Sequence, residues 1–352
     1  MKTGVVGLSG GVDSSVAAFL LKEQGFKVIG LHMKGENPET REEDEARVRE
    51  LCQELNIECV VVDYQDYMQI VKDYFVNEYK SGKTPNPCVV CNKEVKFKPF
   101  LEYAEKLNAD YFATGHYAVV EHNGNEHSLR KAKDKDKDQT YFLCQLTVEQ
   151  ISKVLFPLGS LTKAEVRQIA EKNNLVTQAT KESYDICFLG SQKFKDFITS
   201  NYPEKAGDIV DIKTNTVLGK HTGISQYTIG QRRGLNIGGK NGYEQDRWFV
   251  VKKDVSTNTV YISCGECDEM YSSGCVVTDF NWFVEPQEEL TAQVKLRYRQ
   301  QEQATTATKI DNSTVRLTFE TKQKAVTLGQ YAVLYDETGK CLGGGRINEL
   351  IK

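Results

Sequence analysis

The sequence predicts an α/β protein: a doubly wound parallel sheet, then a small central β-rich domain and a C-terminal β-barrel. In the first half, apolar runs of strand length alternate with helix-like stretches, the rhythm of a parallel sheet covered by helices. From about Asn201 short strands recur with turn pairs, and the segment from Ala292 to Leu350 alternates Val, Thr and Arg as in a small barrel. We therefore expect domains at 1–200, 201–270 and 271–352.

The elements of the first domain follow from apolar periodicity and from residues that begin or end helices. A helix over Asp13–Gln24 should end at Gly25, which suits the left-handed position after a helix. A helix over Leu161–Leu175 begins with Thr162 as N-cap and Glu165 three residues on, a capping box. Strands are also expected at Thr3–Gly7, Lys27–His32, Glu58–Asp63 and Ala109–Thr114, and helices at Glu42–Leu55, Asp66–Glu78 and Lys93–Leu107.

The segment Ser9-Gly10-Gly11-Val12-Asp13-Ser14, between the first strand and the first helix, predicts a phosphate-binding site. Glycines let the backbone approach a ligand, and the N–H groups and dipole of a helix N-terminus favour an anion. Asp13 adds a carboxylate able to hold Mg²⁺. The P-loop pattern GxxxxGK[ST] and its lysine are absent, which favours cleavage between the α and β phosphates over γ-phosphoryl transfer.

Two other segments follow predicted strands and should line the same crevice. They are the region of Met33 and the segment Thr114-Gly115-His116. Ligands of doubly wound sheets bind outside the carboxyl ends of the strands, so all three strand ends are expected to meet there.

Net charge, apolar runs and cysteine content indicate which partners and which cellular compartment to expect. The net charge of −4 does not indicate a nucleic-acid partner, which would need local basic patches. No apolar run approaches the ~20 residues of a membrane span, and the chain enters a strand at once without a signal peptide. We expect a cytoplasmic protein, in which ten cysteines do not form a set of structural disulfides.

Two cysteines lie in polar loops flanked by Pro or Gly. Cys91 follows Thr84-Pro85-Asn86-Pro87-Cys88 beside a predicted helix start and Lys93, which should favour its thiolate. Cys187 follows a polar stretch that could form a mobile loop. Each alone is more often a buried structural thiol, but two such cysteines in a chain that also carries a predicted nucleotide-phosphate loop weaken that interpretation.

The other cysteines give weaker indications of function. The spacing of Cys264, Cys267 and Cys275 permits a zinc site, but no close fourth ligand is apparent, which favours incidental thiols. Cys52, Cys59 and Cys144 lie in apolar patterns and are predicted to belong to the core.

Basic side chains recur in two places. Arg232 and Arg233 lie in a turn-rich segment, and the alternation from Lys295 to Arg299 predicts that Lys295, Arg297 and Arg299 share one strand face. Such a face suits RNA phosphates, although a solvated face is its commoner meaning. The alternating Lys and Asp residues of 131–138 predict a solvated loop.

Taken in order, the motifs resemble those of the tRNA-specific 2-thiouridylases, the MnmA family of PP-loop ATP pyrophosphatases. They run nearly end to end: GLSGGVDSSVAA, TPNPCVVCNKEVKF, ATGHYA, KDKDQTYFL, DICFLG, YTIGQRRGLNIGG, VKLRYRQ and GQYAVLYD. The resemblance implies an N-terminal domain like the adenine nucleotide alpha hydrolases and an ATP- and Mg²⁺-dependent 2-thiolation of the wobble uridine of tRNA, position 34. It also suggests a monomer that takes sulfur from a donor protein.

The resemblance implies roles for single residues. ATP would adenylate uridine O2, a persulfide on Cys187 would attack C2, and Cys91 would release thiouridine and leave a Cys91–Cys187 disulfide. ATP would be bound by Gly7, Leu8, Ser9, Gly10, Gly11, Val12, Asp13 and Ser14, with Met33 and Gly115 near the adenosine. Asn86, Pro87 and Cys88 would contact the target base, and His116, Lys137, Asp138, Gln139, Tyr298, Arg299 and Gln330 would contact tRNA.

One position departs from the family pattern, which commonly has Asp where this chain has Cys88. A role of that Asp in base contact or acid–base chemistry is therefore in doubt, and the change creates Cys88-x-x-Cys91. With Cys187 these thiolates could hold a [4Fe–4S] cluster with one open iron that binds sulfide directly. Two other hypotheses are another PP-loop adenylating ligase, and a redox or iron–sulfur protein that would leave the nucleotide loop unexplained.

Overall fold

The first domain is built on a five-stranded parallel sheet. The computed structural model describes residues 1–34, 38–63, 65–180, 186, 189, 194–235, 237 and 247–352. Its first strands are β1 (Thr3–Gly7), β2 (Lys27–Met33), β3 (Glu58–Val62), β4 (Tyr111–Ala113), the hairpin strands β5 (Val119–Asn123) and β6 (Glu126–Arg130), and β7 (Val154–Leu155). The sheet order is β3-β2-β1-β4-β7, so the chain reverses its direction of winding between β1 and β4. That reversal is where such sheets bind ligands.

Helices cover both faces of this sheet. The helical segments before the central region are α1 (Val12–Glu23), α2 (Pro38–Glu54), α3 (Gln65–Lys80), α4 (Pro87–Val90), a π-helix (Cys91–Phe97), α5 (Lys98–Lys106), α6 (Thr140–Leu143), α7 (Val148–Ser152), α8 (Lys163–Lys172) and α9 (Phe194–Asn201), the last of which packs on Phe75 of α3. Because successive residues of a strand face opposite sides, Val5 packs into the core with Phe97 and Phe100, while Val6 packs with Val16 of α1 and Val166 of α8. The doubly wound prediction is confirmed.

The predicted signals at Gly25 and Thr162 act as expected, whereas the helix start predicted at Lys93 differs from the observed one. Gly25 has φ +82° directly after α1, and Thr162 and Glu165 form a reciprocal capping box on α8. The helix predicted over Lys93–Leu107 instead begins at Pro87, with Asn86 as N-cap, and passes through the π-helix. Proline is tolerated there because the first helical residue needs no N–H donor.

A four-stranded sheet forms the central region. Its strands are β8 (Gly207–Asp211), β9 (Val217–His221), β10 (Trp248–Asp254) and β11 (Thr259–Cys264), in the order β10-β11-β8-β9. Its core contains Ile209, Val250 and Ile262. The predicted change to short strands after about Asn201 is confirmed.

The C-terminal region is a closed six-stranded barrel. Its strands are β12 (Tyr271–Trp282), β13 (Glu289–Lys295), β14 (Gln303–Lys309), β15 (Val315–Lys324), β16 (Tyr331–Tyr335) and β17 (Cys341–Ile351), closed in the order β12-β15-β14-β13-β16-β17. Val294, Leu317 and Leu334 fill its interior with Cys275, whose pKa burial raises to about 12. The predicted barrel is confirmed.

The barrel is joined to the first domain through a shared core. The Tyr141 hydroxyl donates to the Tyr331 carbonyl at 3.0 Å, and Gln145 Nε2 donates to the Gly344 carbonyl at 2.7 Å. Val333 and Tyr335 of the barrel lie in the same apolar cluster as Val5. The barrel and the parallel sheet therefore share one apolar core. In the described part of the chain, no helix has the length and apolar character to cross a bilayer.

The remaining cysteines lie in separate places. Cys52 and Cys144 are buried as predicted, and Cys59 is half-buried in β3. Cys264 ends β11 and Cys267 lies just beyond it, whereas Cys275 is inside the barrel. Among the described residues, no group of three or more His, Cys, Asp or Glu side chains is arranged to hold a metal ion.

Candidate active site

The Ser9–Ser14 loop connects β1 to α1 and leaves the start of the helix open. Gly10 has φ +80°, which glycine adopts without strain, and no side chain caps the helix at Gly11. The hydroxyls of Ser14 and Ser15 donate to the Gly11 carbonyl at 3.1 and 2.9 Å, so they fix the shape of the loop. The uncapped N–H groups at the start of α1 form a site for an anion.

Gly115 brings the end of β4 against this helix start. A Cβ atom built on Gly115 would lie 2.7 Å from both the Asp13 carbonyl carbon and the Ser14 nitrogen. Only glycine allows this approach, which closes one side of the predicted crevice. Since β2, β1 and β4 are parallel neighbours, Met33, the Ser9–Ser14 loop and Gly115 follow strand ends at one edge of the sheet.

The Asp13 carboxylate has two partners that the sequence analysis did not identify. The Tyr117 hydroxyl donates to Asp13 Oδ1 at 2.9 Å, and Lys163 Nζ lies 2.6 and 2.7 Å from the two carboxylate oxygens. Lys163 is the first residue of α8, directly after the Thr162 cap. Its position after a strong N-cap could be recognised from the sequence, but its approach to Asp13 could not.

The cysteine loop is held by the barrel. The Thr84 N–H donates to the Leu328 carbonyl at 2.9 Å, and Gln330 Nε2 donates to the Thr84 carbonyl at 2.8 Å. Pro87 is buried and Cys88 is half-buried in the first turn of α4. Gln330 therefore positions this loop, and its predicted contact with tRNA stays a prediction.

Cys91 lies deeper than its sequence context predicts. It is 6% exposed and packs with Met68, Val71 and Val95 at the start of the π-helix. The helical segment begins at Pro87, so Cys88 lies in its first turn and Cys91 begins the π-helix one turn later. Cys187 lies outside the described residues, so its pairing with Cys91 stays a prediction.

Three residues predicted to contact tRNA, His116, Asp138 and Gln139, form hydrogen bonds within the protein. His116 Nδ1 is hydrogen-bonded to Thr114 Oγ1 at 2.7 Å, and burial holds the pKa of His116 well below its ordinary value. Asp138 accepts hydrogen bonds from the Ala132 N–H at 3.0 Å and from Thr140 Oγ1 at 2.8 Å, and its burial raises its pKa.

The Gln139 side chain has a similar positioning role. Its Oε1 accepts from the Tyr117 N–H at 2.9 Å and so steadies the residue whose hydroxyl contacts Asp13. The solvated loop predicted over 131–138 is thus wrong at Ala132 and Asp138, which are buried, while Lys133, Lys135 and Asp136 are exposed and Lys137 is half-buried. Contacts of His116, Lys137, Asp138 and Gln139 with tRNA stay predictions.

The predicted strand face of three cations does not exist. Strand β13 ends at Lys295, and Arg297 turns inward, where its Nη2 donates to the Ile229 carbonyl at 3.0 Å and the Ala325 carbonyl at 2.6 Å and contacts Thr327 Oγ1. Burial lowers the pKa of Arg297. Arg299, by contrast, is exposed.

The neighbouring aromatic and basic residues differ in exposure. Tyr298 packs on Phe142 with ring centroids 4.3 Å apart, and its burial raises its pKa. Arg232 and Arg233 are exposed, as their turn-rich context predicts. Of the arginines predicted to suit RNA phosphates, Arg232, Arg233 and Arg299 are therefore exposed and Arg297 is not.

Comparison with known proteins covers the whole chain. Residues 2–191 match the family model described as the tRNA methyl transferase HUP domain, residues 195–264 its PRC-barrel domain, and residues 272–347 an aminomethyltransferase beta-barrel domain. A tRNA-specific 2-thiouridylase MnmA of Mycoplasma mycoides is 44% identical over 99% of both chains. The relative of the same name from Alkaliphilus oremlandii is 46% identical over 99% of this chain and 97% of its own length.

Proposed function

The chain belongs to the family of tRNA-specific 2-thiouridylases, and from this premise we propose that it transfers sulfur to C2 of the wobble uridine in an ATP-dependent reaction. The observation that carries the ATP dependence is the open start of α1, against which Gly115 packs without room for a side chain. Such a helix start binds phosphate, and it lies at the point where the sheet reverses its winding.

The residues at this site fit Mg-ATP. The uncapped N–H groups of α1 would bind phosphate oxygens, and Asp13 would hold Mg²⁺ together with those oxygens and water. Mg²⁺, when bound, supplies neutralisation of the phosphate charge. The side chains of Ser14 and Ser15 would keep the loop in shape, since both hydroxyls donate to the Gly11 carbonyl.

The chemistry needs activation, because the uridine O2 is a poor leaving group. Attack of O2 on the α phosphorus forms the O2–P bond and releases pyrophosphate. The terminal sulfur of a Cys187 persulfide then attacks C2, and O2 leaves with AMP. Attack of the Cys91 thiolate on the sulfur of Cys187 breaks the S–S bond, leaves the thiocarbonyl on the base and forms a Cys91–Cys187 disulfide, which an external thiol must reduce.

A second route is favoured by the placement of Cys88. Cys88 and Cys91 are three residues apart in one continuous helical segment, so their side chains lie on the same face. Two thiolates on one helical face, with Cys187 as a third, could hold a [4Fe–4S] cluster that delivers sulfide without a persulfide. This route would give a function to the cysteine that replaces the usual Asp.

The experiment that separates these routes is a thiolation assay on unmodified tRNA with Mg-ATP and a sulfur source, read by mass spectrometry of nucleosides. Cys91→Ala, Cys187→Ala and Cys88→Ala are compared with Cys267→Ala, a half-buried cysteine beyond β11, as control. The persulfide route predicts 2-thiouridine in air, lost in Cys91→Ala and Cys187→Ala but kept in Cys88→Ala. Product formed only without air and dependent on Cys88 would favour the cluster, and no product in any arm would refute the proposal.

The partners of the proposed reaction are tRNA and a separate sulfur-donor protein, and we propose a monomer in the cytoplasm. The donor, the compartment and the monomeric state are supported by the family alone. Light scattering after size exclusion tests the last of these: a mass of about twice the 39.8 kDa of one chain would contradict it.

A further inference from the structure

Lys163 lies in the nucleotide site, yet the reaction described above gives it no role. Its Nζ is 2.6 and 2.7 Å from the Asp13 oxygens, and its side chain is only 12% exposed. The capping box of α8 fixes its backbone, and Val166 and Ala170 of α8 pack in the same core as Val16 of α1. Two helix starts, 150 residues apart in sequence, are thus held side by side.

Lys163 pairs with the Asp13 carboxylate, which is the group proposed to hold the Mg²⁺ of Mg-ATP. Asp13 is the second residue of α1, so its carboxylate lies beside the uncapped N–H groups at the start of the helix. A hard divalent cation and an ammonium group compete for the same carboxylate oxygens. When Mg²⁺ takes these oxygens, the flexible four-carbon stem leaves the ammonium within reach of the phosphates.

We propose that Lys163 is the cation that stabilises pyrophosphate as it leaves, and that Asp13 holds it in place until Mg-ATP binds. The inference rests on the proposed use of ATP and deepens it. As uridine O2 bonds to the α phosphorus, the bond from that phosphorus to the bridging oxygen breaks and its electron pair leaves with pyrophosphate. The Lys163 ammonium donates hydrogen bonds to the oxygens that gain this charge, and no proton is transferred.

In this arrangement Lys163 supplies the cation that the phosphate loop lacks. The sequence from Ser9 to Ser14 contains no cation, unlike a P-loop, whose lysine is part of the loop itself. Here the packing of α8 against α1 brings the cation to the loop. The outer phosphates therefore meet Lys163 from one side and the helix start from the other.

The test is the binding of three phosphate compounds to purified protein in Mg²⁺, measured by calorimetry. In Lys163→Met, ATP and inorganic pyrophosphate should bind about 10- to 100-fold more weakly, whereas AMP should change by no more than about twofold. The contrast between ATP and AMP isolates the outer phosphates, and it requires neither tRNA nor turnover.

Lys133 provides a matched control, because it also pairs with a residue of α8. It forms an ion pair with the first turn of α8, with Nζ 2.8 Å from Glu165 Oε1, but its side chain is 50% exposed and its partner is not Asp13. Lys133→Met should leave the affinities for ATP, pyrophosphate and AMP unchanged. Lys163→Gln keeps a donor for Asp13 without the charge and gives the same comparison if Lys163→Met does not fold.

The results separate this inference from the proposal beneath it. Equal losses of ATP and AMP affinity in the Lys163 variants would show that Lys163 only holds α8 against α1, and would overturn the inference while leaving ATP use intact. A wild-type protein that binds neither ATP nor AMP would refute the use of ATP, and the role of Lys163 with it.

Discussion

Arg297 and Arg299 lie two residues apart, and the structure predicts opposite consequences for their removal. Arg297 is half-buried, and its guanidinium joins the Ile229 carbonyl of the central region to the Ala325 carbonyl and the Thr327 hydroxyl of the barrel region. Arg299 is exposed. Arg297→Gln should therefore destabilise the fold, and Arg299→Gln should weaken only the binding of tRNA.

The magnitude follows from the acceptors that Arg297 would leave behind. Hydrogen bonds to a charged group contribute about 1.5–3 kcal/mol each. Because Arg297 is half-buried, water can replace part of what is lost, so the three contacts together should contribute about 3–5 kcal/mol, less than their full sum. For a chain of this length such a loss corresponds to a Tm lower by about 5–10 °C. Arg299→Gln should change Tm by less than about 1 °C, as is usual for a solvent-exposed substitution.

Thermal unfolding and tRNA binding at several salt concentrations measure both effects. Each lost phosphate contact lowers the slope of log K against log salt by about 0.9, so Arg299→Gln should reduce the slope by about one. Folded Arg297→Gln, assayed well below its Tm, should keep the wild-type slope. The reasoning would be refuted by an Arg297→Gln protein with an unchanged Tm and a reduced slope, because that arginine would then contact tRNA as a surface residue.

Three further predictions concern Gly115, Lys253 and Gln330. Gly115→Ala should weaken ATP binding at least about tenfold, because its Cβ would meet backbone at 2.7 Å, while Gly4→Ala, whose Cβ would lie 3.5 Å from a side chain, should bind ATP normally in the same calorimetric assay. Burial lowers the pKa of Lys253 from 10.5 to about 8, so the unfolded chain holds more protons between these values. The stability of wild type relative to Lys253→Met, measured by urea unfolding, should then rise over that interval by up to about 3 kcal/mol, and a flat difference would contradict this. Gln330→Ala, which frees the Thr84 carbonyl, should slow thiolation but leave ATP affinity unchanged, and a parallel loss of both would count against a local role for Gln330.

Local signals in the sequence were enough to predict most of the fold. Strand β1 has the predicted bounds, and the Thr162–Glu165 capping box forms as expected, since both depend on residues close in sequence. The π-helix from Cys91 was not predicted, because its hydrogen-bond pattern has no signature in apolar periodicity. Helix α2 begins at Pro38, four residues before the predicted Glu42, because proline is accepted in a first helical turn.

Within the candidate site, too, the features set by local sequence could be predicted and those set by tertiary packing could not. The phosphate loop could be predicted because Gly10, Gly11 and the helix start are contiguous, and sheet topology placed Gly115 beside them. Nothing in sequence spacing could place Lys163 against Asp13, because that contact depends on how α8 packs on α1. The alternation at Arg297 was misleading, since β13 ends at Lys295 and a period of two has no meaning beyond the strand.

The phosphate loop and the loop that carries Cys88 are held in place by different parts of the protein. The phosphate loop is held within the first domain, by Gly115 after β4 and by Lys163 of α8. The loop that carries Cys88 is held from the barrel, through Leu328 and Gln330. A tRNA that shifts Leu328 or Gln330 would therefore shift the Thr84 loop without contacting the proposed ATP site directly. Adenylation and sulfur attack would then respond separately to tRNA binding, even though both act on the same base.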